Sequence, residues 1–116
     1  MTDEDCLFCK IVDGVIPADV VHETEHVLAF RDIGPQAPTH VLVIPKEHLA
    51  SLDDATDGHR ALLGEIMLVA RDVARAEGVS ETGFRAVVNT GADGGQTVHH
   101  FHLHVLGGRA MGWPPG

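Results

Sequence analysis

The densest group of chemically active side chains in this sequence is a run of histidines. Four of the nine histidines, His99, His100, His102 and His104, fall within six residues. Near neutral pH an imidazole can act as a nucleophile, a general base or a metal ligand. Successive side chains of a β-strand face opposite sides, so we expect His100, His102 and His104 on one face of a strand. Three imidazoles on one face indicate a catalytic or metal-binding site.

Two kinds of chemistry fit this spacing. His-x-His on a strand is a ligand spacing of zinc hydrolases, and the spacing alone does not separate a metal ligand from a nucleophile. The preceding segment, Gly94-Gly95-Gln96-Thr97, is a candidate phosphate site. Its glycines allow a ligand to approach the backbone, and free N–H groups with the Gln96 and Thr97 side chains would form a nest for phosphate oxygens. The combination favours phosphoryl or nucleotidyl chemistry.

The two cysteines, Cys6 and Cys9, lie one helical turn apart. This spacing suits half of a four-ligand zinc site. A redox dithiol is the alternative, but the strand and βαβ unit that usually precede such a motif are missing. Since the chain has no other cysteine, the remaining zinc ligands would be histidines.

The elements that position these residues follow from hydrophobic periodicity and turn residues. Apolar spacing predicts a short helix over residues 6–12, ended by Asp13-Gly14, and a long amphipathic helix over residues 60–77. The expected strands cover residues 20–23, 27–30, 40–44, 84–89 and 98–106. Their order favours an α+β fold, an antiparallel sheet of about five strands with the long helix on one face. We expect a single domain over residues 1–116, with residues 1–5 as a frayed lead-in.

Composition excludes several classes of function. The chain has 8 basic and 17 acidic residues, a formal net charge of −9, which argues against a nucleic-acid partner. A mononucleotide needs only a few donors and remains compatible. No segment approaches the run of about 18 apolar residues that spans a bilayer, so we expect no membrane association. The acidic start is the reverse of a signal peptide and predicts a cytoplasmic protein with reduced cysteines.

Residues 96–105, Gln-Thr-Val-His-His-Phe-His-Leu-His-Val, resemble the signature of the histidine triad (HIT) family, His-φ-His-φ-His-φ-φ with φ apolar. The similarity extends over nearly the whole chain, through the segments 16–18, 28–33, 35–40, 43–46 and Asn89. Residues 106–116, which end in Trp113-Pro114-Pro115-Gly116, resemble the Hint branch of that family.

The resemblance implies a homodimer whose sheet continues from one subunit into the other. Each subunit would bind a purine nucleoside monophosphate or phosphoramidate. In the family the middle histidine attacks the α-phosphorus and forms a nucleotidyl-histidine intermediate, a role that falls on His102. The resemblance further implies that His104 orients His102, and that His40 and His100 support the network.

The nucleotide contacts are also implied by the resemblance. Asp32 matches the residue that binds the ribose hydroxyls, and Ile11, Phe30 and Ile33 match the base pocket. The residues matching the phosphate contacts are Asn89, Gly95, Gln96 and Thr97, together with His102 and His104. The tail over residues 107–116, with Trp113, is expected near the active site of the dimer partner.

Some bacterial family members bind a structural zinc ion at positions that correspond to Cys6, Cys9, His48 and His100. The resemblance therefore implies zinc as the cofactor here and leaves His102 free as the nucleophile. His99 competes with His100 for the fourth ligand position, although it should face the other side of the strand. No organic cofactor is expected.

Several functions remain open from the sequence. The leading hypothesis is hydrolysis of the P–N bond of purine nucleoside 5′-phosphoramidates. A second enzymatic hypothesis is dinucleoside polyphosphate hydrolysis, as in the Fhit branch. A third hypothesis is a nucleotide-binding regulatory or scaffold dimer with incidental catalysis. The fourth is a zinc hydrolase that uses His100, His102 and His104 as ligands.

Overall fold

A computed structural model describes residues 5–116, so most of the expected lead-in lies outside the described residues. Five strands form one sheet in the order β1-β2-β3-β5-β4, and all neighbouring strands are antiparallel. The strands are β1 (Val20–Glu23), β2 (Val27–Arg31), β3 (Thr39–Pro45), β4 (Phe84–Val88) and β5 (Leu103–Gly107). The helices are α1 (Leu7–Val12) and α2 (Arg60–Ala76), and a 3-10 turn at Asp57–His59 precedes α2. The predicted α+β fold is confirmed.

The alternation of side chains along the strands divides the interior into two layers. The first face of the sheet packs against α2 and includes Val41, Val43 and Val105. The opposite face, which includes Leu42 and Ile44, packs against α1. Because helices cover both faces of the central strand, every residue of β3 is buried. The sequence therefore reads there as a continuous apolar run rather than an alternating one.

Particular residues cap the start of α1 and turn the chain after both helices. In α2 the apolar positions fall on one side, and Gly78 follows the helix with φ of 78°. In α1 the Cys6 side chain caps the start by accepting a hydrogen bond from the Cys9 N–H over 3.1 Å. Gly14, with φ of 77°, turns the chain after α1. Glycine adopts such left-handed conformations without steric cost.

The last strand is shorter than predicted, and this changes the geometry of the histidine run. The strand expected over residues 98–106 begins only at Leu103, so His100 and His102 precede it. Pro45 lacks the N–H needed to extend the ladder opposite this segment. Its carbonyl accepts a hydrogen bond from the His100 side chain instead, over 2.8 Å. The predicted bounds of the last strand, residues 98–106, are therefore wrong, and of the three histidines of the motif only His104 lies in β5.

Among the described residues, no helix is both long enough and apolar enough to cross a membrane.

Candidate active site

His102 is buried just before β5, and its hydrogen bonds determine which ring nitrogen is basic. Nδ1 lies 2.7 Å from the main-chain carbonyl oxygen of His100. A carbonyl only accepts, so Nδ1 must carry the proton and donate. Nε2 then holds the lone pair of the neutral ring. The His102 side chain is consequently arranged as a nucleophile or base at Nε2.

The neighbouring histidines form a second chain of hydrogen bonds. The Gln36 main-chain N–H donates to His40 Nδ1 over 3.0 Å. His40 therefore carries its proton on Nε2 and donates it to His104 Nδ1, 2.9 Å away. By the same reasoning His104 keeps its proton on Nε2. The rings of His104 and His102 are 5.0 Å apart, so this N–H belongs to the same site as the His102 lone pair.

Burial keeps these supporting histidines neutral. It lowers the pKa of His104 to about 4, with smaller contributions from the His102 and His40 imidazoles, while Asp32 opposes the shift. Burial also lowers the pKa of His40, again against the Asp32 carboxylate. The Asp32 Oδ2 atom lies 3.5 Å from His40 Nε2. The hydrogen-bonded pair of His40 and His104 (the relay) is therefore neutral near pH 7 and lies beside the Asp32 carboxylate.

A cavity of about 250 Å³ lies between α1 and the sheet, and its wall includes Asp32 and Phe8. Asp32 lies close to His40, and Phe8 contacts His102. The cavity contains all the residues predicted for the base and ribose, namely Ile11, Phe30, Ile33 and Asp32. Sequence reasoning missed further lining residues: Leu7, Phe8, Ile16, Pro17, Ala18, Arg31, Leu42 and Val98. An apolar cavity with one carboxylate at its wall suits a planar base attached to a sugar.

Phe8 is the most informative of the missed residues. Its ring meets the His102 ring edge-on at 5.2 Å and the Phe30 ring at 5.5 Å. The apolar spacing of α1 predicts that Phe8 is buried, and the structure confirms it. Its contact with His102 depends on how α1 packs against the sheet, which no local pattern encodes.

The loop before the histidines is built differently from the expected nest. The N–H groups of Gly95 and Gln96 donate within the loop, to the carbonyls of Ala92 and Gly91. The Asn89 side chain donates to the Gly94 carbonyl over 2.7 Å. The Gln96 side chain also shapes the loop: it accepts from the Gly91 N–H and donates to the Ala50 and Val98 carbonyls. Two of the N–H groups in the expected phosphate nest over residues 94–97 are therefore not free, while Thr97 is exposed.

Four side chains predicted as zinc ligands converge on one point. The ligand atoms of Cys6, Cys9, His48 and His100 all lie within 4.8 Å of one another. His100 Nδ1 is 3.2 Å from the Cys6 sulfur and 3.4 Å from the Cys9 sulfur. His48 Nδ1 is 3.3 Å from the Cys9 sulfur. His99 is exposed and belongs to no such group among the described residues.

The donor set and its geometry fit a tetrahedral metal ion. Bond lengths to zinc imply sulfur–nitrogen separations of about 3.5 Å across a tetrahedron, close to those observed. His100 Nε2 donates to the Pro45 carbonyl over 2.8 Å, which leaves Nδ1 unprotonated toward the sulfurs. The Nε2 atom of His48 is buried and has no hydrogen-bond partner among the described residues. This cluster could hold a metal ion.

A second group, Asp32, His40 and His104, also has its ligand atoms within 4.8 Å. No group within residues 5–116 combines His100, His102 and His104. The hypothesis of a zinc tripod built from the three histidines of the motif therefore has no geometric support. Instead, His100 joins the cysteines, and His104 joins His40.

The C-terminal tail first contacts Gln36 and then β4. Arg85 of β4 donates to the Gly112 carbonyl over 2.7 Å. Arg109 donates to the Gln36 carbonyl over 3.1 Å. The N–H of the same Gln36 donates to His40. Trp113 is 84% exposed. The tail therefore contacts the residue next to the relay, while the Trp113 side chain extends into solvent.

Comparison with known proteins agrees with this geometry. The HIT domain family matches residues 13–111. A crystal structure of a HIT family hydrolase from Legionella pneumophila Philadelphia 1 has a TM-score of 0.95 and 57% identity, covering 97% of this chain and 100% of that chain. An uncharacterized HIT-like protein of Synechococcus elongatus is 55% identical over 97% of this chain and 98% of its own length. A 14 kDa zinc-binding protein of Zea mays is 51% identical over 100% of this chain and 91% of its own length.

The chain belongs to the HIT family. Its fold and its hydrolase neighbours support a hydrolase-type enzyme.

Proposed function

We propose that this protein belongs to the Hint branch and hydrolyses the P–N bond of purine nucleoside 5′-phosphoramidates through a nucleotidyl intermediate on His102. The observation that carries the proposal is the 2.7 Å hydrogen bond from His102 Nδ1 to the His100 carbonyl. It leaves the lone pair on Nε2, so the nucleophile needs no deprotonation. A neutral imidazole is a competent nucleophile near pH 7.

The cavity beside His102 provides a place for the rest of the substrate. The purine would lie against the apolar walls formed by Ile11, Phe30 and Ile33. The Asp32 carboxylate, on the same cavity, would accept hydrogen bonds from the ribose hydroxyls. The 5′-phosphate would then meet His102 Nε2, with the Nε2–H of His104 and the Thr97 hydroxyl as donors to its oxygens.

The reaction balances in two steps. His102 Nε2 attacks the α-phosphorus, the P–N bond breaks, and the nitrogen takes a proton from solvent and leaves as an amine. Water then attacks the same phosphorus, the bond between phosphorus and Nε2 breaks, and the nucleoside monophosphate is released with a proton. His104 orients the His102 ring, and His40 fixes the tautomer of His104.

The test is turnover of adenosine 5′-phosphoramidate by the wild type, His102→Ala and the matched control His99→Ala. We expect His102→Ala to lose at least about a thousandfold in kcat, the scale seen when a covalent nucleophile is removed. His99→Ala, an adjacent exposed histidine, should retain activity. Quenching in alkaline denaturant, in which a phosphorus–imidazole bond survives, should trap radiolabelled nucleotide on the wild type and not on His102→Ala. Equal rates for wild type and His102→Ala would rule out the nucleophile assignment.

Two further comparisons separate the remaining hypotheses. A dinucleoside polyphosphate hydrolase would turn over a diadenosine polyphosphate with a higher kcat/KM than the phosphoramidate. If the protein acts as a regulatory scaffold, His102→Ala should still rescue the cellular phenotypes of a deletion. We expect the phosphoramidate to be preferred and His102→Ala to fail in rescue.

A homodimer is part of the proposal and is supported by one edge of the sheet. β4 has a strand partner on one side only, and Phe84 and Ala86 are exposed along it. An exposed edge strand presents unpaired backbone groups to another chain. Met67 and Leu68 of α2 are also exposed, at 55% and 52%. We expect sedimentation to give a dimer mass for the wild type and a monomer mass for Ala86→Pro.

If this dimer forms, we propose that Trp113 serves the partner subunit's active site. Trp113 is exposed in its own subunit, and the Arg85–Gly112 hydrogen bond anchors the tail at β4. Trp113→Ala should then raise KM for substrates with bulky amine groups while dimer mass stays unchanged. An unchanged KM would contradict the assignment.

We also propose that Cys6, Cys9, His48 and His100 hold a structural zinc ion, supported by their buried geometry and by the zinc-binding relative. Zinc would link the α1 segment to the histidine run and take no part in the reaction. Protein purified without chelator should contain about one zinc per chain, and Cys6→Ser should lose it. Well under one zinc per chain, or unchanged zinc in Cys6→Ser, would refute this assignment. A cytoplasmic location, which keeps the thiols reduced, belongs to the same proposal.

A further inference from the structure

His100 connects the cysteine cluster to the nucleophile through two separate groups. Its side chain is held at both nitrogens, with Nδ1 toward the Cys6 and Cys9 sulfurs and Nε2 donating to the Pro45 carbonyl. Its main-chain carbonyl accepts the hydrogen bond from His102 Nδ1. A shift of the His100 side chain would therefore move the acceptor that fixes the His102 tautomer.

Phe8 forms a second connection, because it lies between Cys6 and Cys9 in the sequence. Its ring meets the His100 ring at 6.0 Å, with an interplanar angle of 70°. It meets the His102 ring at 5.2 Å and 88°. It also contacts Phe30, a wall of the proposed base pocket, at 5.5 Å and 74°. Edge-to-face contacts of this kind have a preferred geometry and restrict ring rotation.

The segment that carries Phe8 depends on its surroundings for its position. α1 has 6 residues, and its N-terminal cap is the side chain of a cysteine in the cluster. Isolated helices of this length are not stable in water. Phe8 and Cys9 are the buried residues of α1. The cluster and the Phe8 contacts therefore hold this helix in place together.

We propose that Phe8 is a positioning residue for the His102 nucleophile, and that the Cys6–Cys9–His48–His100 cluster governs nucleotide binding and nucleophile geometry through Phe8 and His100. The expected effect on the reaction rate rests on the proposed function. The coupling of the cluster to the His102 ring stands without it. Metal occupancy of the cluster would then regulate activity although no metal touches the substrate.

The main experiment compares Phe8→Leu with the matched control Lys10→Ala. Both residues are on α1, but Lys10 is half-buried and does not line the cavity, whereas Phe8 is 5% exposed and in contact with the histidine rings. Phe8→Leu keeps all four cluster residues, so it should bind zinc as the wild type does. We expect nucleotidyl transfer in a single turnover to slow about 100-fold, the scale of a small misplacement of reacting groups. Lys10→Ala should change this rate by less than about threefold, the scale of a substitution away from the site, since Lys10 is not part of the cavity lining.

Two readouts distinguish positioning from a general structural effect. Long-range ¹H–¹⁵N NMR at a fixed pH reports the tautomer of His102, and calorimetry with adenosine monophosphate reports nucleotide affinity. For Phe8→Leu we expect mixed tautomers and affinity weaker by about tenfold, the upper range for one aromatic contact. Phe8→Tyr, which retains the ring, should restore the single tautomer.

The second arm removes zinc from the wild type with a chelator and repeats both readouts. We expect the His102 tautomer to become mixed, and restoration when zinc is returned. If the chelated protein unfolds, the Phe8→Leu arm decides alone. A wild-type tautomer, affinity and rate in Phe8→Leu would overturn the proposal. If His102→Ala is as active as the wild type but Phe8→Leu still changes the tautomer, the proposed function fails and the coupling stands.

Discussion

His102 Nδ1 donates a hydrogen bond to the carbonyl oxygen of His100, two residues earlier in the chain, over 2.7 Å. In a regular strand that carbonyl would be directed along the hydrogen-bond ladder of the sheet. Because β5 begins only at Leu103, the carbonyl is available to a side chain. The departure from strand geometry therefore fixes the proton of the proposed nucleophile.

His40→Asn should slow turnover of adenosine 5′-phosphoramidate about 100-fold, the scale of a misplaced catalytic group. The His40 Nε2–H donates to His104 Nδ1, and its loss allows His104 to change tautomer and withdraw its own Nε2–H from the site. We expect kcat to fall with little change in KM. His26→Asn, at an exposed histidine, serves as the control. A wild-type kcat for His40→Asn would show that the relay plays no part.

Stability should decline as the pH falls from about 6.5, the ordinary pKa of histidine, to about 4. The pKa of His104 is lowered to about 4 in the folded protein, so the unfolded chain binds more protons across this range. By linkage the free energy of unfolding drops by on the order of 2–3 kcal/mol from this residue. Denaturant titrations at several pH values measure this pH dependence of the free energy of unfolding. The variant His104→Asn should lose the part that His104 contributes. Parallel pH profiles for both proteins would contradict the assignment.

Gly94→Ala should disturb the loop before the histidines. A Cβ at this position would lie 2.3 Å from the Thr90 carbonyl oxygen, so the backbone must shift. Since the Gly94 carbonyl accepts from Asn89, the shift should reach the proposed phosphate contacts and raise KM. Gly112→Ala, where a Cβ meets nothing within 4 Å, is the matched control. Steady-state kinetics with unchanged KM for Gly94→Ala would argue against a role of this loop in phosphate binding.

Asp32→Asn should weaken the binding of substrates that carry ribose hydroxyls. A hydrogen bond to a charged group contributes about 1.5–3 kcal/mol, so KM for adenosine 5′-phosphoramidate should rise about tenfold or more. The 2′,3′-dideoxy analogue should bind wild type and variant alike, because it offers no hydroxyl to the carboxylate. Asp13→Asn, an exposed position after α1, is the control. Equal losses for both substrates would mean that Asp32 acts through His40 instead.

Much of the fold was predictable because it follows from local patterns. The apolar periodicity of α2 predicts residues 60–77, and the helix covers Arg60–Ala76 with Glu77 as its cap. The β-branched run before Pro45 predicts residues 40–44, and β3 covers Thr39–Pro45. Such patterns report the burial of one face, and burial is what stabilises these elements.

The contacts of the candidate site were predictable only in part. The motif and the Cys6–Cys9 spacing point to the right residue types, and the resemblance adds His48 and His40, which the structure brings to the expected neighbours. The use of the Gly95 and Gln96 N–H groups within the loop was not foreseeable, because it depends on the detailed path of the turn. Phe8 was missed because its partners lie on the distant segment around His102.

The sequence by itself determined the histidine run, the cysteine pair, the α+β order of elements and the apolar faces. The resemblance gave the three histidines of the motif different roles, but only the tertiary structure decided which groups each of them contacts. His100 turns to the cysteines, His102 bonds to the backbone, and His104 joins His40. The physical reason is that alternation describes an uninterrupted strand. Where the ladder opposite Pro45 ends, long-range hydrogen bonds to the Pro45 and Leu49 carbonyls determine where the chain goes.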